Sequence, residues 1–518
     1  MVNTNFINSE FLSPMRVFTP LTSELPTYLV AQLSESLPKT VTVFSVFNKL
    51  TKLNPNKASG PDGIPAWLLK DNALLLAAPI ADILNSSFQE RRLPKSWKRA
   101  DINPIPKKTP VLDVNKHLRP ISLTPILSKV AEDYVVEEYV KPAVLKKIDR
   151  NQFGTVPKSC TVYALISMLH SWYRNTDGNG STVRVVLVDF EKAFDLIDHW
   201  ILLNKLKEYD LPIWTFQWIA DFLRNREQRV KLAQDCHSEW GSVPAGVPQG
   251  TKLGPWLFVV MINNLHADGF DLWKYVDDTT ITETVHKNDS SHIQTAVDKL
   301  VQETQANRFQ INESKCKELQ ISFSKSRDHV FPAVVINNKS IEVVNHAKLL
   351  GLTISDDLKW NTHISEVVKK VASRLYFLRQ LKRAKVTQVD LLSFYVTCIR
   401  PVTEYACQVF HNGLPAYLSD ELEKLQRRAL RIIYPDLSYT EALTKSNLSK
   451  LHTRRNELTE RLFNDIVQDN SHKLHPLLPV LNSCPKSLRS KRKFLIPLCK
   501  TNRYKRSFIM YNAATIKY

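Results

Sequence analysis

The stretch VRVVLVDF (Val183–Phe190) decides the fold, because a continuous run of β-branched residues is typical of a strand buried in a sheet. Further along the chain, Asp271–Thr284 predicts a strand, a tight turn and a second strand, and the turn carries YVDD (Tyr275–Asp278). If strand and hairpin share a sheet, Asp189, Asp277 and Asp278 meet at one edge. Asp is common in turns, so a DD pair in a turn does not by itself indicate a function. Its role has to be inferred from the surrounding sequence.

Three carboxylates at one sheet edge suit a specific reaction. Two Mg²⁺ ions roughly 3.5–4 Å apart can stabilise both the attacking and the leaving oxygen in nucleotidyl transfer. Such hard cations take carboxylate and carbonyl oxygens as ligands. Asp189, Asp277 and Asp278 are therefore the candidates for a two-metal centre.

The charge of the chain indicates a polyanionic partner. Its 518 residues carry a formal net charge of +19, with a pI near 9.4. Residues 356–518 contain 29 basic and 14 acidic side chains, whereas residues 1–355 contain 41 and 37. The last third is thus predicted to be a surface for a charged backbone, and the first two thirds a core with local sites.

The cysteines and the apolar runs indicate in which cellular compartment the protein is expected. Seven scattered cysteines form no CxxC pair and no Cys/His cluster with zinc spacing, which favours free thiols in a reducing compartment. No signal peptide opens the chain, and the apolar runs are too short to cross a bilayer. We expect an intracellular protein, nuclear or cytoplasmic, not secreted and without a membrane partner.

A series of motifs surrounds the three aspartates. In chain order they are KASGPDGIP (Lys57–Pro65), WKRADINPIPKK (Trp97–Lys108), LRPISL (Leu118–Leu123), NQFG (Asn151–Gly154), VDFEKAFDLIDH (Val188–His199), GVPQGTKLGPWLF (Gly246–Phe258), KYVDDTT (Lys274–Thr280), NESKCK (Asn312–Lys317) and KLLGLTISDDLKWNTHI (Lys348–Ile364). Their order and wording resemble the finger and palm motifs of reverse transcriptases from non-LTR, LINE-type retrotransposons, most closely the jockey-like and chicken-repeat-like groups. The resemblance runs from about Lys57 to about Pro435, and a series of this length is far more specific than YVDD alone.

The resemblance implies an α/β (α+β) right-hand polymerase, with an antiparallel sheet packed on helices in fingers and palm and a helical thumb-like region after them. The expected divisions are residues 1–39, a poorly ordered lead-in; 40–87, an N-terminal finger extension; 88–355, fingers and palm; 356–470, a helical thumb or connector; and 471–518, a basic C-terminal tail.

The same resemblance implies roles for individual residues. Asp189 and Asp277 would hold two Mg²⁺ ions, for which Mn²⁺ can substitute, with the backbone carbonyl of Phe190 as a further ligand and Asp278 in support. Lys315 is the candidate that protonates the leaving pyrophosphate, and Lys317, two residues away, is the alternative.

A second set would bind the nucleotide. Phe194 matches the position that excludes a 2′-hydroxyl, although a plain core aromatic is the alternative. Gln249 and Gly250 match the turn near the templating base and the incoming nucleotide, where glycine lets the backbone come close. Arg119 matches the residue that clamps the triphosphate, and Lys107 or Lys108 would add charge beside it.

The implied activity is an RNA-directed DNA polymerase. Its partners would be an RNA template, a DNA primer, their RNA–DNA hybrid and deoxynucleoside triphosphates. Only 56 residues precede Lys57, too few for the upstream endonuclease of LINE-type proteins, so an endonuclease acting in trans is the expected source of any nick. The alternative is a catalytically decayed, nucleic-acid-binding remnant of such an element; maturases of group II introns and telomerase share the palm but fit the motifs less well.

Overall fold

The computed structural model describes residues 3–31, 33–233, 235–267, 269–324, 331–482 and 493–516. In these residues, fourteen strands are found: β1 (Arg99–Pro106), β2 (Leu118–Leu123), β3 (Thr182–Val188), β4 (Arg226–Ala233), β5 (Cys236–His237), β6 (Gly241–Val243), β7 (Asp271–Tyr275), β8 (Asp278–Val285), β9 (Lys317–Ser322), β10 (Val335–Ile336), β11 (Lys339–Ser340), β12 (Glu342–Val344), β13 (His346–Leu349) and β14 (Leu352–Ser355).

The same described residues form twenty-two α-helices. They are α1 (Thr4–Leu12), α2 (Thr27–Val30), α3 (Val43–Thr51), α4 (Ala66–Asp71), α5 (Ala73–Glu90), α6 (Val114–His117), α7 (Ile126–Val135), α8 (Lys141–Lys147), α9 (Thr161–Asn175), α10 (His199–Leu206), α11 (Ile213–Leu223), α12 (Gly254–Ile262), α13 (Ile293–Ala306), α14 (Asn361–Arg383), α15 (Gln388–Phe394), α16 (Arg400–Glu404), α17 (Cys407–Phe410), α18 (Ala416–Ile433), α19 (Tyr439–Ser446), α20 (Leu451–Gln468), α21 (Asn502–Lys505) and α22 (Phe508–Thr515). None of them combines the length and the apolar character that a membrane span requires.

The chain divides into two compact units, each assembled from three segments. The first unit contains Met1–Val156, Phe190–His266 and Lys299–Asn312. The second unit contains Pro157–Asp189, Ala267–Asp298 and Glu313–Tyr518. The expected division into fingers, palm and thumb by sequence position stays a prediction.

The first unit is built on a sheet with the strand order β2-β1-β4-β5, in which β6 also pairs with β4. Strands β1 and β2 are antiparallel, whereas β1 and β4 run parallel. Helix α12 contacts α10 and α8 and is buried on all sides, as expected of the apolar sequence GPWLFVVMI. This packing fixes the loop that leads into α12.

The prediction that residues 1–39 are a poorly ordered lead-in is wrong for α1. Asn3 caps this helix, and its apolar residues Ile7 and Phe11 join a buried cluster with Ile102 of β1 and Val230 of β4. Two apolar residues four positions apart in a nine-residue helix are too short a pattern to detect among polar neighbours. The helix is held by tertiary packing.

The second unit is built on a five-stranded sheet with the order β12-β9-β3-β8-β7. The predicted strand Val183–Phe190 and the predicted hairpin of Asp271–Thr284 are both confirmed, as β3 and as β7 with β8. Strand β3 pairs antiparallel with β8 and with β9, and only β12 joins the sheet in parallel. The mixed α/β class with a largely antiparallel sheet is thus confirmed.

The end of the second unit is helical, as predicted. Helix α14 buries Ile364, Val371 and Leu375 and packs against α18. The term tail does not fit the whole of residues 471–518, because α22 buries Phe508 and Met510 and contacts α20. The excess of basic residues in this region obscures the apolar pattern of α22; residues 483–492 lie outside the described part.

A buried ion pair links two strands of this sheet. The guanidinium of Arg184 in β3 meets the carboxylate of Glu318 in β9 through Nε–Oε1 at 2.7 Å and Nη2–Oε2 at 3.0 Å. Both side chains are almost fully buried. Arg184 also donates to Ser291 Oγ and to the carbonyl of Pro332, so its planar group is well satisfied.

We predict that Arg184→Leu lowers the free energy of unfolding by about 3–5 kcal/mol, because it leaves the Glu318 carboxylate buried without its cation. Urea unfolding followed by tryptophan fluorescence measures this. Lys317→Ala is the control, since it removes the more exposed pair with Glu342 in the same sheet and is expected to cost less than about 1 kcal/mol. Equal losses in both variants would contradict the prediction.

Candidate active site

The hairpin β7–β8 places Asp277 in its two-residue turn and Asp278 at the start of β8. Tyr275 pairs with Asp278, which leaves Val276 and Asp277 at the tip. Val276 has φ +58°, a left-handed conformation that costs a β-branched residue about 1–3 kcal/mol. The turn is therefore held against a local strain.

Strand pairing brings the third aspartate to the same place. Val188, the last residue of β3, pairs with Thr279 of β8, so Asp189 leaves β3 where Asp278 begins β8. Partial desolvation, followed by the neighbouring carboxylates of Asp277 and Asp189, raises the pKa of Asp278 to about 6. The predicted meeting of the three carboxylates at one sheet edge is thereby supported by geometry and by their mutual repulsion.

The three carboxylates have the donor atoms that a divalent metal ion binds. Repelling carboxylates at strand ends are the oxygen donors that Mg²⁺ takes, and a divalent cation would relieve their repulsion. Among the described residues, however, no group of three or more His, Cys, Asp or Glu side chains is arranged to hold one ion. The donor chemistry of the three carboxylates nevertheless fits Mg²⁺.

Lys315 lies beside the cluster. Its Nζ is 3.1 Å from Oδ1 of Asp189, whereas the alternative, Lys317, pairs with Glu342 of β12. The thiol of Cys316 accepts the backbone N–H of Asp189 at 3.5 Å, and burial raises the pKa of this thiol to about 11. The two lysines thus have different environments, and only Lys315 contacts a predicted metal ligand.

The predicted nucleotide-binding residues lie in the first unit. Phe190 forms a β-bridge with Ile311, and its ring lies 5.5 Å from that of Phe309. The ring of Phe194 stacks on Phe258 of α12 at 4.5 Å between centroids, with an interplanar angle of 14°. Phe194 remains partly exposed.

Gln249 and Gly250 lie in the loop before α12, close to strand β2. The backbone N–H of Ser122 donates to the carbonyl of Gln249 at 2.8 Å. Gly250 has φ +116°, and a Cβ at this position would lie 2.8 Å from the Ser122 carbonyl oxygen. A side chain at position 250 would therefore push the loop away from β2.

Arg119 is an exposed residue of β2, paired with Ile105 of β1. Its positive charge, with those of Lys107 and Lys192, acts on the carboxylate of Asp195. Three basic residues are therefore near this carboxylate, one of them the predicted triphosphate clamp.

The sequence did not reveal the residues that contact the Gln249 loop or cap the helix packed beside it. Three of them follow Phe194 in the motif VDFEKAFDLIDH: Asp195 accepts from the Gln249 side chain, Asp198 caps α10, and His199 contacts the carbonyl of Gly246 at 2.7 Å. Because a carbonyl oxygen only accepts, Nε2 of His199 is the donor in that contact. Burial lowers the pKa of His199 to about 4. The motif marked all three residues, but no sequence pattern reveals their partners.

Glu132 of α7 was also missed, although an acidic residue within an apolar helical stripe is a signal. Its side chain is fully buried, and Oε2 accepts the backbone N–H groups of Lys252 at 2.7 Å and Leu253 at 3.2 Å. Oε1 accepts from Ser128 Oγ at 3.0 Å. Glu132 thus satisfies backbone donors at the start of α12 that would otherwise be buried without partners.

The segment that carries these sites is similar to a known protein family. The family model described as reverse transcriptase (RNA-dependent DNA polymerase) matches residues 105–354, a range that includes every predicted site residue. A second model, described as the N-terminal part of alkylated DNA repair protein alkB homolog 8, matches residues 360–400, which begin just before α14.

Curated proteins from mobile elements are similar to most of this chain. The chain is 29% identical over 434 residues to the RNA-directed DNA polymerase from mobile element jockey of Drosophila melanogaster, covering 80% of this chain and 46% of that protein. The jockey polymerase of Drosophila funebris is 28% identical over 76% of this chain and 44% of its own length. The probable RNA-directed DNA polymerase from transposon X-element of Drosophila melanogaster is 24% identical, over 74% of this chain and 43% of the relative.

Over most of its length the chain is therefore similar to RNA-directed DNA polymerases from mobile elements. It spans slightly less than half the length of the relatives it matches. Among solved structures it is similar to apo telomerase from Candida tropicalis truncated from the C-terminal domain, with 12% identity, a TM-score of 0.34 and coverage of 52% of this chain and 55% of that one. That likeness is too loose for a comparison of elements.

We predict that Glu132→Ala accelerates hydrogen exchange at the amides of Lys252 and Leu253 by roughly one to two orders of magnitude, because both lose a buried acceptor. Exchange measured by mass spectrometry on the peptide spanning the loop checks this. Glu138→Ala is the control, because Glu138 is an exposed residue paired with Lys39. Unchanged protection of the loop in Glu132→Ala would show that other contacts hold it.

Proposed function

We propose that the chain is an RNA-directed DNA polymerase of a non-LTR retrotransposon, which adds deoxynucleotides to a primer 3′-hydroxyl on an RNA template. The observation that carries the proposal is the cluster of Asp189, Asp277 and Asp278 at one sheet edge within the matched reverse transcriptase domain. The names of its relatives support the same activity.

In this proposal, the metal ligands are Asp189, Asp277 and the backbone carbonyl of Phe190, with Asp278 in support. The two Mg²⁺ ions, or Mn²⁺ in their place, would supply charge that stabilises the attacking and leaving oxygens. Lys315 would protonate the leaving pyrophosphate, and its ammonium already contacts Asp189 at 3.1 Å. Before metal binds, the same contact partly offsets the repulsion among the carboxylates.

The residues of the first unit would bind the nucleotide. Arg119, beside Lys107, would hold the triphosphate, and Gln249 with Gly250 would lie against the nascent base pair. Phe194 would exclude a 2′-hydroxyl, since its stacking on Phe258 supports the ring and the residue is still partly exposed.

Basic surfaces in both units support a nucleic-acid partner. Residues 356–518, all in the second unit, account for most of the net positive charge. In the first unit, a cavity of about 610 Å³ is lined by Lys49, Lys52, Lys57, Lys129 and Lys252 but by a single acidic residue, Asp133. Burial and the cations of Lys57 and Lys252 lower the pKa of Lys129, so a phosphate group would relieve a local excess of positive charge. Both surfaces suit an RNA template, a DNA primer and their hybrid.

We predict that the purified protein extends a DNA primer on an RNA template with Mg²⁺ and deoxynucleotides, and that Asp277→Asn reduces extension at least roughly a hundredfold. Asp298→Asn is the control, because Asp298 is an exposed carboxylate of α13. Primer extension on a gel measures all three proteins. Binding of primed template without extension by the unaltered protein would overturn the proposal in favour of a decayed remnant.

We predict that Phe194→Ala reduces the preference for deoxynucleotides over ribonucleotides roughly 10- to 200-fold, because the ring no longer blocks the 2′-hydroxyl. Single-nucleotide incorporation with each nucleotide gives the ratio of kcat/KM values. Phe222→Leu is the matched control, since it alters a fully buried ring in α11 of the same unit and should leave the ratio unchanged. An unchanged ratio in Phe194→Ala would show that this ring is a core aromatic.

A further inference from the structure

Asp195 makes a side-chain contact with a residue assigned to the nucleotide site. Gln249 Nε2 donates to Asp195 Oδ1 at 3.0 Å, across 54 residues of sequence. The proposed function gives Asp195 no role, although the residue directly follows Phe194. The contact therefore raises the question of what this carboxylate does for the amide.

The backbones on either side of this contact are fixed. The N–H of Val247 donates to the carbonyl of Phe194, and that of Gly246 to the carbonyl of Ile197, both at 2.8 Å. Gly246 has φ +82°, and a Cβ there would lie 2.5 Å from the carbonyl oxygen of Asp195. The two segments are thus joined closely enough that the Asp195–Gln249 contact is a constrained feature of the loop.

The contact also sets the polarity of the amide. An ionised carboxylate has only acceptor atoms, so the amide nitrogen of Gln249 must be the group that faces Asp195. The carbonyl oxygen Oε1 consequently points elsewhere. No described residue donates a hydrogen bond to it, and Gln249 is only partly buried.

The surroundings of Asp195 show how its charge is kept. Burial raises the pKa of Asp195 to about 6, while the hydrogen bond from Gln249 and the cations of Lys192, Lys107 and Arg119 act in the opposite direction. A competing interpretation is that Asp195 serves only as a counter-charge for these cations. An experiment must therefore separate an effect through Gln249 from an effect of charge.

We propose that Asp195 is a positioning residue that holds the Gln249 amide with its carbonyl oxygen toward the incoming nucleotide, where it accepts a hydrogen bond from the sugar hydroxyl. This inference rests on the proposed function, because it assumes that Gln249 contacts a deoxynucleotide. The 3′-hydroxyl is the sugar donor that a deoxynucleoside triphosphate retains, so the contact favours nucleotides that can be extended. Replacing Asp195 by Asn removes the constraint, since an Asn side chain can face the Gln249 amide with either its donor or its acceptor group.

The test compares the unaltered protein, Asp195→Asn, Gln249→Ala and the double variant. Nucleotide Kd is measured on a primed RNA template whose primer ends in a dideoxynucleotide, so that no bond can form and the result does not depend on turnover. We expect Asp195→Asn to raise the Kd for the deoxynucleotide roughly tenfold and to leave the Kd for its 3′-deoxy analogue almost unchanged. In the Gln249→Ala background, Asp195→Asn should have no further effect on either Kd.

Asp198→Asn is the matched control. Asp198 is a buried carboxylate three residues away that caps α10 and pairs with Arg308, so it shares the neighbourhood but not the contact with Gln249. Steady-state extension by the same proteins should show the change in KM, with kcat within about twofold.

Several results would overturn the inference. An Asp195→Asn variant that binds both nucleotides like the Asp198→Asn variant would do so. Equal weakening of both nucleotides would favour the counter-charge interpretation. An additional loss in the Gln249→Ala background would mean that Asp195 acts by another route. Failure of the unaltered protein to extend a primer, with selective nucleotide binding retained, would overturn the proposed activity while leaving the positioning role supported.

Discussion

Antiparallel pairing of β3 with β8 is the constraint on which the cluster of three aspartates depends. The register that sets Val188 opposite Thr279 brings the end of one strand to the start of the next, so that Asp189 and Asp278 meet without any long side-chain reach. A shift by one residue in this pairing would move Asp189 out of its position beside Asp278. The pairing register therefore determines where the carboxylates lie, and the Arg184–Glu318 pair joins β3 to the strand on its other side.

Carboxylates in this protein lie in two different kinds of environment. Glu132 and Asp195 lie beside N–H donors, backbone amides in one case and a side-chain amide in the other. Asp278 instead lies beside two further carboxylates, which disfavour its charged form. The first arrangement shapes a loop through hydrogen bonds. The second leaves negative charge that a cation can neutralise, which is what the proposed metal binding requires.

The sequence was informative where a pattern repeats over several residues. The β-branched run of β3, the hairpin that follows Asp271 and the helical end of the chain were all predicted correctly, because each has a clear periodicity. Helix α1 was not, since its stability comes from contacts with β1 and β4, which are distant in sequence. For the same reason the resemblance pointed to Gln249 but not to Asp195 or Glu132. A motif marks which residues matter, whereas their partners depend on tertiary structure.

The segments of the two units alternate along the chain, and this alternation determines what a truncating mutation removes. The chain passes from one unit to the other five times, at positions 156, 189, 266, 298 and 312. Neither unit can therefore be made as a single uninterrupted segment of the open reading frame. A stop codon or frameshift before residue 312 would remove parts of both units at once. A copy that encodes the first unit in full must retain the reading frame through residue 312, whereas a copy that encodes the second unit in full must retain the frame through the whole of the first.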